Sequence, residues 1–158
     1  MKKLLPLLCV LICLSACETK TQSKEIDDTG IRRIVTTTLD EKRFVLLDEA
    51  EIEFILNLSK DEYRNGWVYQ DLSGTTIDEV AFFIADNKKE DELCQKLSDY
   101  LADCKIQKKT WLESYNPPEA KKLANGKVFR YGNLVGYAFL SEDEQTKLFS
   151  ELDNYFES

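Results

Sequence analysis

The segment from Val80 to Ala85 constrains the fold more than any other, because all six of its residues are apolar. It continues a run of β-branched and aromatic residues that begins at Thr76, a composition that favours a strand. Side chains alternate between the two faces of a strand, so both faces here would be apolar. We therefore predict the central strand of a sheet that is covered on both sides.

The longest predicted helix follows that strand. Asn87 and Glu90 have the spacing of a capping pattern, and Pro117-Pro118 predicts that the helix stops near Tyr115. Its apolar residues recur at steps of three and four, as expected for a stripe packed on a core. This stripe consists of Leu93, Leu97, Leu101, Cys104, Trp111 and Leu112.

A hairpin and a closing helix complete the predicted C-terminal unit. Two strands, Lys127–Tyr131 and Leu134–Leu140, are separated by Gly132-Asn133, a two-residue connection that tolerates positive φ. Ser141 and Glu144 then have the spacing of a capping box. The inner face of the helix that follows is predicted to carry Leu148, Phe149, Leu152, Tyr155 and Phe156.

The N-terminal part of the domain gives weaker signals. The apolar spacing from Ile31 to Leu39 favours a helix, although its β-branched residues would also suit a strand. Asp48 and Glu51 form a capping-box pattern that predicts a second helix from Glu49 to about Ser59. The residues expected on the inner face of this helix are Phe54, Ile55 and Leu58.

The order of these elements indicates an α+β fold. Asn65-Gly66 predicts a break in the chain, followed by a short strand at Trp67–Tyr69. From Thr75 onward the order is strand, long helix, hairpin and helix, which resembles half of a ferredoxin-like layout. The hairpin and the small number of strands favour a small, mostly antiparallel sheet with helices packed on it, preceded by one or two helices, over a parallel α/β sheet.

The first 17 residues have the organisation of a lipoprotein signal peptide: Lys2-Lys3, an apolar run from Leu4 to Leu14, and the small pair Ser15-Ala16 before Cys17. As a helix the apolar run would be about 17 Å long, well short of the ~30 Å hydrocarbon core. We predict cleavage before Cys17 and its modification by a diacylglyceryl group and palmitate. The alternative is an ordinary secreted protein with an incidental cysteine.

The predicted cleavage site sets the domain boundaries. Residues 1–16 would be the signal peptide, 17–28 the lipidated cysteine and a flexible tether, and 29–158 a single α+β domain of unknown function. The acyl chains on Cys17 would hold the domain on the extracytoplasmic face of the cell membrane.

The charge of the chain bounds its partners. Removing Lys2 and Lys3 with the signal peptide leaves 19 basic residues against 29 acidic ones, a net charge of −10. Such a charge repels nucleic acid and anionic lipid headgroups. We therefore expect no nucleic-acid partner, and membrane attachment through the lipid on Cys17.

The chain contains no histidine, so the usual general base and the commonest zinc ligand are both missing. This excludes hydrolases built on a Ser-His or Cys-His pair, and we expect no metal site and no cofactor. Cys94 and Cys104 lie ten residues apart on the predicted long helix, or about 15 Å along its axis. A disulfide needs Cα atoms within about 7 Å, so we expect two buried thiols that are not joined.

Several segments together resemble a family of small bacterial lipoproteins. They are the run Thr76–Phe83, the long charged helix after it, the segment Tyr115–Leu123, and Gly132-Asn133 before the last strand. The family is known as domain of unknown function four-three-five-eight and occurs mostly in low-GC Gram-positive bacteria. The resemblance covers roughly Ile31 to Phe156.

This chain departs from the family pattern in carrying Pro117-Pro118 where one proline is expected, and Asn65-Gly66 before Trp67. The resemblance implies a location and an architecture. It implies no chemistry, because the family has no assigned activity.

Two acidic neighbours, Asp78 and Glu79, form one candidate site. In a strand they would point to opposite faces, so they could not act on one atom, and local hydrogen bonds or a salt bridge would explain them. The functional alternative is that one of them lines a groove beside the segment that follows the long helix.

That segment, predicted as a loop from Tyr115 to Asn125, is the second candidate. It combines an aromatic residue, two prolines, a carboxylate and two lysines, and rigid loops often carry binding groups. Prolines that redirect the chain and solvated lysines would explain the same composition. Its candidate binding residues are Tyr115, Pro117, Glu119 and Lys122, and Lys121 and Lys122 could also contact an anionic wall polymer.

Three functions are compatible with these observations. The first is a non-enzymatic, membrane-tethered module that binds an envelope protein or a cell-wall partner. The second is a cell-envelope enzyme with a carboxylate such as Asp78 or Glu79 as acid or base, which predicts acids that converge in a concave pocket. The third is an inhibitor or folding helper that acts through an exposed sheet edge.

Overall fold

The computed structural model describes residues 25–86 and 88–157, together with the backbone of residues 18–20. The predicted signal peptide, Cys17 and Asn87 lie outside the described residues. The described part of the chain is an α+β protein, as predicted, and none of its helices is long and apolar enough to cross a membrane.

The described residues form six strands and five helices. The strands are β1 (Glu18–Lys20), β2 (Phe44–Leu46), β3 (Tyr63–Asp71), β4 (Glu79–Ala85), β5 (Lys127–Tyr131) and β6 (Leu134–Phe139). The helices are α1 (Asp28–Thr38), α2 (Glu49–Leu56), α3 (Glu90–Tyr115), α4 (Pro117–Asn125) and α5 (Glu142–Glu157), and a short 3₁₀ turn spans Glu41–Arg43.

The strands form one sheet in the order β1-β5-β6-β4-β3-β2. All neighbouring pairs are antiparallel except β1 and β5, which are parallel. Every residue of β4 is buried between β3 and β6, which confirms the predicted central strand, although it begins at Glu79 rather than Thr76. The predicted hairpin is also confirmed, and its turn has a positive φ at Gly132.

Helices cover both faces of the sheet because its central strand is apolar on both sides. Ala81 and Phe83 pack in one core under α2, α3 and α4. Val80, Phe82 and Ile84 pack in a second core under α1 and α5. The prediction of helix α1 is confirmed, and α1 and α5 together cover one of the two faces of the sheet.

Several strands and helices begin or finish at one end of the sheet, which we call the base end. β4 and β5 begin at this end, and β3 and β6 finish there. The long helix α3 returns to it, because Asn116 just after α3 donates a 3.3 Å hydrogen bond from Nδ2 to the carbonyl of Thr75. Helix α4 therefore lies at the base end, and α5 begins there directly after β6.

Two predicted capping boxes are confirmed. The amide of Asp48 donates to the Glu51 carboxylate at 2.8 Å, and the amide of Glu51 donates back to Asp48 at 2.9 Å. Ser141 and Glu144 make the equivalent pair of bonds at the start of α5. The third pattern is not used as predicted, since Lys89 precedes α3 without a side-chain cap.

Helix α2 is shorter than predicted and faces the core differently. It ends at Leu56, where Asn57 adopts a left-handed conformation with φ of 51°. Ile52 and Leu56 are buried, whereas Phe54 is 89% exposed, so the inward assignment of Phe54 was wrong. The reason is geometric, since residues two apart on a helix lie on opposite sides. Leu58 is buried as predicted, but it lies beyond the helix.

The predicted chain break at Asn65-Gly66 is wrong, because β3 runs through it from Tyr63 to Asp71. The pairing of β3 with β4 shifts in register between Tyr63 and Asn65, which is a local irregularity within a continuous strand. A Cβ at Gly66 would lie 2.7 Å from the ring of Phe83, so glycine is needed here for close packing across the strands.

Two further predictions about the helices need correction. Trp111 was expected in the buried stripe of α3 but is 58% exposed, while Leu112 beside it is buried. The predicted loop from Tyr115 to Asn125 is the helix α4, with Pro117 at its first turn, where proline is favoured. Cys94 and Cys104 are buried thiols, as expected.

The predicted tether also contains regular structure. Glu18–Lys20 pairs with residues Phe129 to Tyr131 as β1, and α1 begins at Asp28 with Asp27 as its cap. Residues 21–24 lie outside the described residues.

Candidate functional site

Asp78 lies at the base end and is 1% exposed. Its Oδ1 atom accepts a 2.7 Å hydrogen bond from Nζ of Lys122, and its Oδ2 atom accepts one from the guanidinium of Arg43. Both carboxylate oxygens of Asp78 are therefore bonded to cationic side chains.

Further carboxylates extend this contact into a cluster. Nζ of Lys122 lies 2.8 Å from Glu119, and the guanidinium of Arg43 lies 3.2 Å from Glu144 and 3.8 Å from Asp71. Glu119 also accepts a 2.8 Å hydrogen bond from the amide of Ile77. We call these residues the charge cluster: Arg43, Asp71, Asp78, Glu119, Lys122 and Glu144.

Local structure explains how each side chain reaches the charge cluster. Glu119 and Lys122 are three residues apart on α4 and so share one side of that helix. Arg43 ends the 3₁₀ turn immediately before β2, and Glu144 lies in the first turn of α5. The charge cluster thus connects the end of β3 and the starts of β2 and β4 with α4 and α5 at one end of the sheet.

Burial governs the electrostatics of the charge cluster. It raises the pKa of Asp78, against the opposing effects of Lys122 and Arg43. Burial would also lower the pKa of Lys122, but hydrogen bonds to Asp78 and Glu119 outweigh it, and the pKa is raised. The charge of Asp78 is thus costly to bury and is maintained by its two cations.

Glu79, the neighbour of Asp78, begins β4 and has a separate set of partners. Its carboxylate accepts hydrogen bonds from three neutral groups, the hydroxyls of Tyr100 and Tyr137 and the amide of Gln70. Burial, reinforced by the charge of Glu79, raises the pKa of both tyrosines, so their hydroxyls stay protonated and donate. Glu79 is 4% exposed and forms a buried polar contact between β3, β4, α3 and β6.

The structure brings three of the predicted binding residues together and separates the other three. Asp78, Glu119 and Lys122 meet in the charge cluster, while Glu79 bonds to Tyr100, Tyr137 and Gln70 instead. Tyr115 and Pro117 are exposed and take no part in the cluster.

Sequence reasoning missed Arg43, Asp71 and the second role of Glu144. Glu144 was recognisable only as a cap, and nothing near Arg43 in the sequence indicates a partner 35 residues away. One general rule could have indicated that Asp78 has a cationic partner, because a buried carboxylate requires a counter-charge.

Three cavities lie elsewhere on the described part of the protein. One of about 400 Å³ is lined by residues of the segment before α1, with Arg64 and Tyr155, and one of about 290 Å³ lies between Lys127 and α5. A third, of about 230 Å³, lies between α3 and α4 and is lined by Lys105 and Lys109. None of the three is lined by Asp78 or Glu79. Within the described residues no group of three or more histidine, cysteine or acidic side chains could hold a metal ion.

The outer edge of β2 is a surface of a different kind. β2 is the last strand of the sheet, and Val45 and Leu46 are 47% and 43% exposed. The amide of Leu47 donates to the carbonyl of Val68 in β3 at 2.9 Å. Successive residues of a strand direct their backbone N–H and C=O groups to opposite sides. Because Leu47 directs its N–H toward β3, Leu46 directs its N–H and C=O away from β3.

We expect acid to weaken the protein partly through Glu144. Burial would raise the pKa of Glu144, but hydrogen bonds from Ser141 and the charge of Arg43 hold the pKa below 4.5. A carboxyl whose pKa is depressed on folding stabilises the protein above its unfolded pKa, and this contribution is lost as the pH falls through the folded pKa. Glu144→Gln should therefore reduce the stability by about 1 kcal/mol at pH 7 and flatten the decline below about pH 5.

Urea unfolding at a series of pH values measures this effect. Glu53→Gln is the control, because Glu53 is exposed on α2. Identical pH profiles for Glu144→Gln and Glu53→Gln would contradict the assignment.

No family model matches the chain, and no curated protein and no solved structure matches it. The resemblance to domain of unknown function four-three-five-eight therefore stays a prediction.

Proposed function

We propose that this protein is a lipid-anchored, extracytoplasmic module without catalytic activity, which binds an extended, cationic segment of another envelope protein along β2. The observation that carries the binding role is the edge of β2, with its outward backbone groups and exposed side chains. The anchor is supported by the sequence Leu14-Ser15-Ala16-Cys17 at the end of the apolar run.

The geometry of β2 supports the addition of a strand. Leu46 presents its N–H and C=O to the outside, and an extended peptide could bond to both. Natural proteins usually protect such edges with charges or cover. Here the two exposed residues of the edge, Val45 and Leu46, are apolar.

The charge around β2 supports a cationic partner segment. Residues 40–53 contain six acidic residues and two basic ones, a net charge of −4. One of the two basic residues, Arg43, is engaged in the charge cluster. An approaching basic strand would therefore be attracted at both ends of β2.

The alternative function is a cell-envelope enzyme that uses carboxylate acid/base chemistry. The observation that favours it is the raised pKa of Asp78 close to Glu119. Against it, both oxygens of Asp78 are bonded to Lys122 and Arg43, which leaves them poorly placed to exchange a proton with a substrate. The binding role is therefore the better supported function.

Mass spectrometry of the protein purified from membranes tests the anchor. We expect a mature N-terminus at Cys17 that carries acyl chains, and a Cys17→Ala variant that loses membrane attachment. An unmodified, soluble product of the native gene would overturn this part of the proposal.

The binding role is tested at Leu46. Leu46→Pro removes the outward N–H, and proline is tolerated at edge positions whose N–H faces solvent. The matched variant Leu46→Val retains the N–H. A photo-crosslinking amino acid at Val45 should form an adduct in intact cells that maps to an extended, cationic segment of one partner.

That adduct should persist in Leu46→Val and disappear in Leu46→Pro, with thermal unfolding of both variants showing that the fold is retained. An adduct that survives in the folded Leu46→Pro protein, or one that maps to a helical or acidic surface, would contradict binding along β2.

A further inference from the structure

The exposed position of Trp111 follows from the length of α3. Its 26 residues span about 39 Å, whereas the seven residues of β4 span about 23 Å. The helix is thus longer than the strand it covers, and its last turns, which carry the exposed Trp111 and Tyr115 (76% exposed), lie at the base end, where Leu112 between them is still buried in the core. Their rings lie 5.9 Å apart and form one aromatic surface.

A third large apolar side chain is exposed at the same end of the protein. Leu72 is 58% exposed in the turn between β3 and β4. The hydrogen bond from Asn116 to Thr75 joins this turn to the end of α3. Trp111, Tyr115 and Leu72 are thus all exposed at the base end, although large apolar side chains elsewhere are mostly buried.

One part of the base end, the end of α3 together with α4, carries positive charge in an acidic protein, whereas the first turn of α5 at the same end is acidic, with Glu142, Asp143 and Glu144. Residues 105–127, which include the end of α3 and all of α4, contain six lysines and two glutamates, a net charge of +4. Three of these lysines pair with carboxylates: Lys121 with Glu142, Lys122 with Asp78, and Lys109 with Glu113 in an exposed pair at 3.9 Å. Lys108 and Lys109 are exposed on α3 next to Trp111.

The path of the chain leads to this end. β1 runs parallel to β5, with Glu18 opposite Phe129, so the backbone enters the sheet from the base end. Glu18 is covalently joined to Cys17, the predicted site of lipidation. An anchor at Cys17 would therefore bring the base end toward the bilayer.

From these observations we infer that the base end docks on an anionic membrane surface, with Trp111 and Tyr115 at the level of the lipid headgroups and Lys108 and Lys109 facing the phosphates. The inference rests on the proposed anchor at Cys17. Tryptophan and tyrosine favour the membrane interface because their rings are apolar with one polar atom. Each lysine near an anionic surface adds about 1 kcal/mol of attraction, which salt screens.

Tryptophan fluorescence tests the docked orientation, because the chain has only two tryptophans, and Trp67 is buried. The mature protein, produced from the complete gene and purified from cells, is mixed with vesicles of phosphatidylglycerol and brominated phosphatidylcholine, in which bromine quenches tryptophans at the interface. We expect the wild type to lose about half of its emission relative to vesicles without bromine, since one of its two indoles is at the interface. Trp111→Phe, which retains only Trp67, should lose almost none.

Charge variants test the electrostatic contribution. Lys108→Glu/Lys109→Glu should weaken the quenching, as should high salt or replacement of phosphatidylglycerol by phosphatidylcholine. Lys147→Glu, an exposed change on α5, is the matched control and should leave the quenching unchanged.

Flotation of the same vesicles separates the two proposals. Protein that floats with the vesicles but shows no quenching of Trp111 retains the anchor and overturns the docked orientation. Protein that does not float overturns the anchor and the docking with it. Quenching that is absent in lipid vesicles, combined with protection of Trp111 in native membranes, would assign this surface to a protein partner instead.

Discussion

Replacing Asp78 with alanine is expected to lower the free energy of unfolding by about 3–5 kcal/mol. The change leaves Lys122 and Arg43 without the buried carboxylate that bonds both of them. It also disconnects β4 from α4 and from the start of β2. Removing one member of a buried ion pair is costly because the remaining charges lose compensation, and Glu119 and Glu144 would restore only part of it here.

Urea denaturation at pH 7 measures this loss, with Asp103→Ala on the exposed side of α3 as the control. Asp78→Asn preserves the volume but not the charge, so it should also destabilise the protein. A loss below about 1 kcal/mol for Asp78→Ala is typical of salt bridges at the surface. Such a result would show that the charge cluster does not hold β4, α4 and the start of β2 together.

Glu79 is expected to give a similarly large loss on truncation, for a different reason. Glu79→Ala removes a buried side chain and leaves two tyrosine hydroxyls and the amide of Gln70 without their acceptor. Together the cavity and the unpaired donors should cost about 3–5 kcal/mol.

Glu79→Gln is the discriminating variant. Its remaining carbonyl oxygen can accept from both tyrosines, and rotation of the Gln70 amide can present an oxygen to the new N–H. Because the partners of Glu79 are neutral, we expect a loss of only about 1 kcal/mol, in contrast to Asp78→Asn. Equal losses for the two isosteric variants would contradict the distinction between a charged and a neutral environment.

Local sequence signals predicted most of the regular structure. The Asp48 and Ser141 capping boxes are confirmed because a cap is formed by residues three apart in the chain. The hairpin turn at Gly132-Asn133 and the central strand are confirmed for the same reason, since turn geometry and side-chain alternation are short-range properties.

The failures arise where tertiary geometry decides. Periodicity assigned Trp111 to the core, but it carries no information about where the sheet ends beneath α3. The glycine at position 66 indicated a turn, whereas the structure uses it to admit the ring of Phe83. In both cases the local pattern was correct and the partner across the fold was unknown.

The same limit applies to the candidate site. Three of the six predicted binding residues meet in the charge cluster because Glu119 and Lys122 share a helix side and α4 lies over the start of β4. Arg43 comes from a distant segment and could not be foreseen. Tyr115 instead forms a pair with Trp111, which a loop prediction could not reveal.

The order of the strands limits how copies of this protein could polymerise. β1 lies along β5 from Phe129 to Tyr131 and occupies that flank of the sheet, while β2 ends the opposite flank. Two copies joined through β2 would consume both available flanks, so such growth terminates at a dimer. Detachment of β1 would make the second flank available, and head-to-tail stacking into filaments would become feasible. The three residues of β1, by covering this flank of the sheet, would thus oppose the formation of fibres.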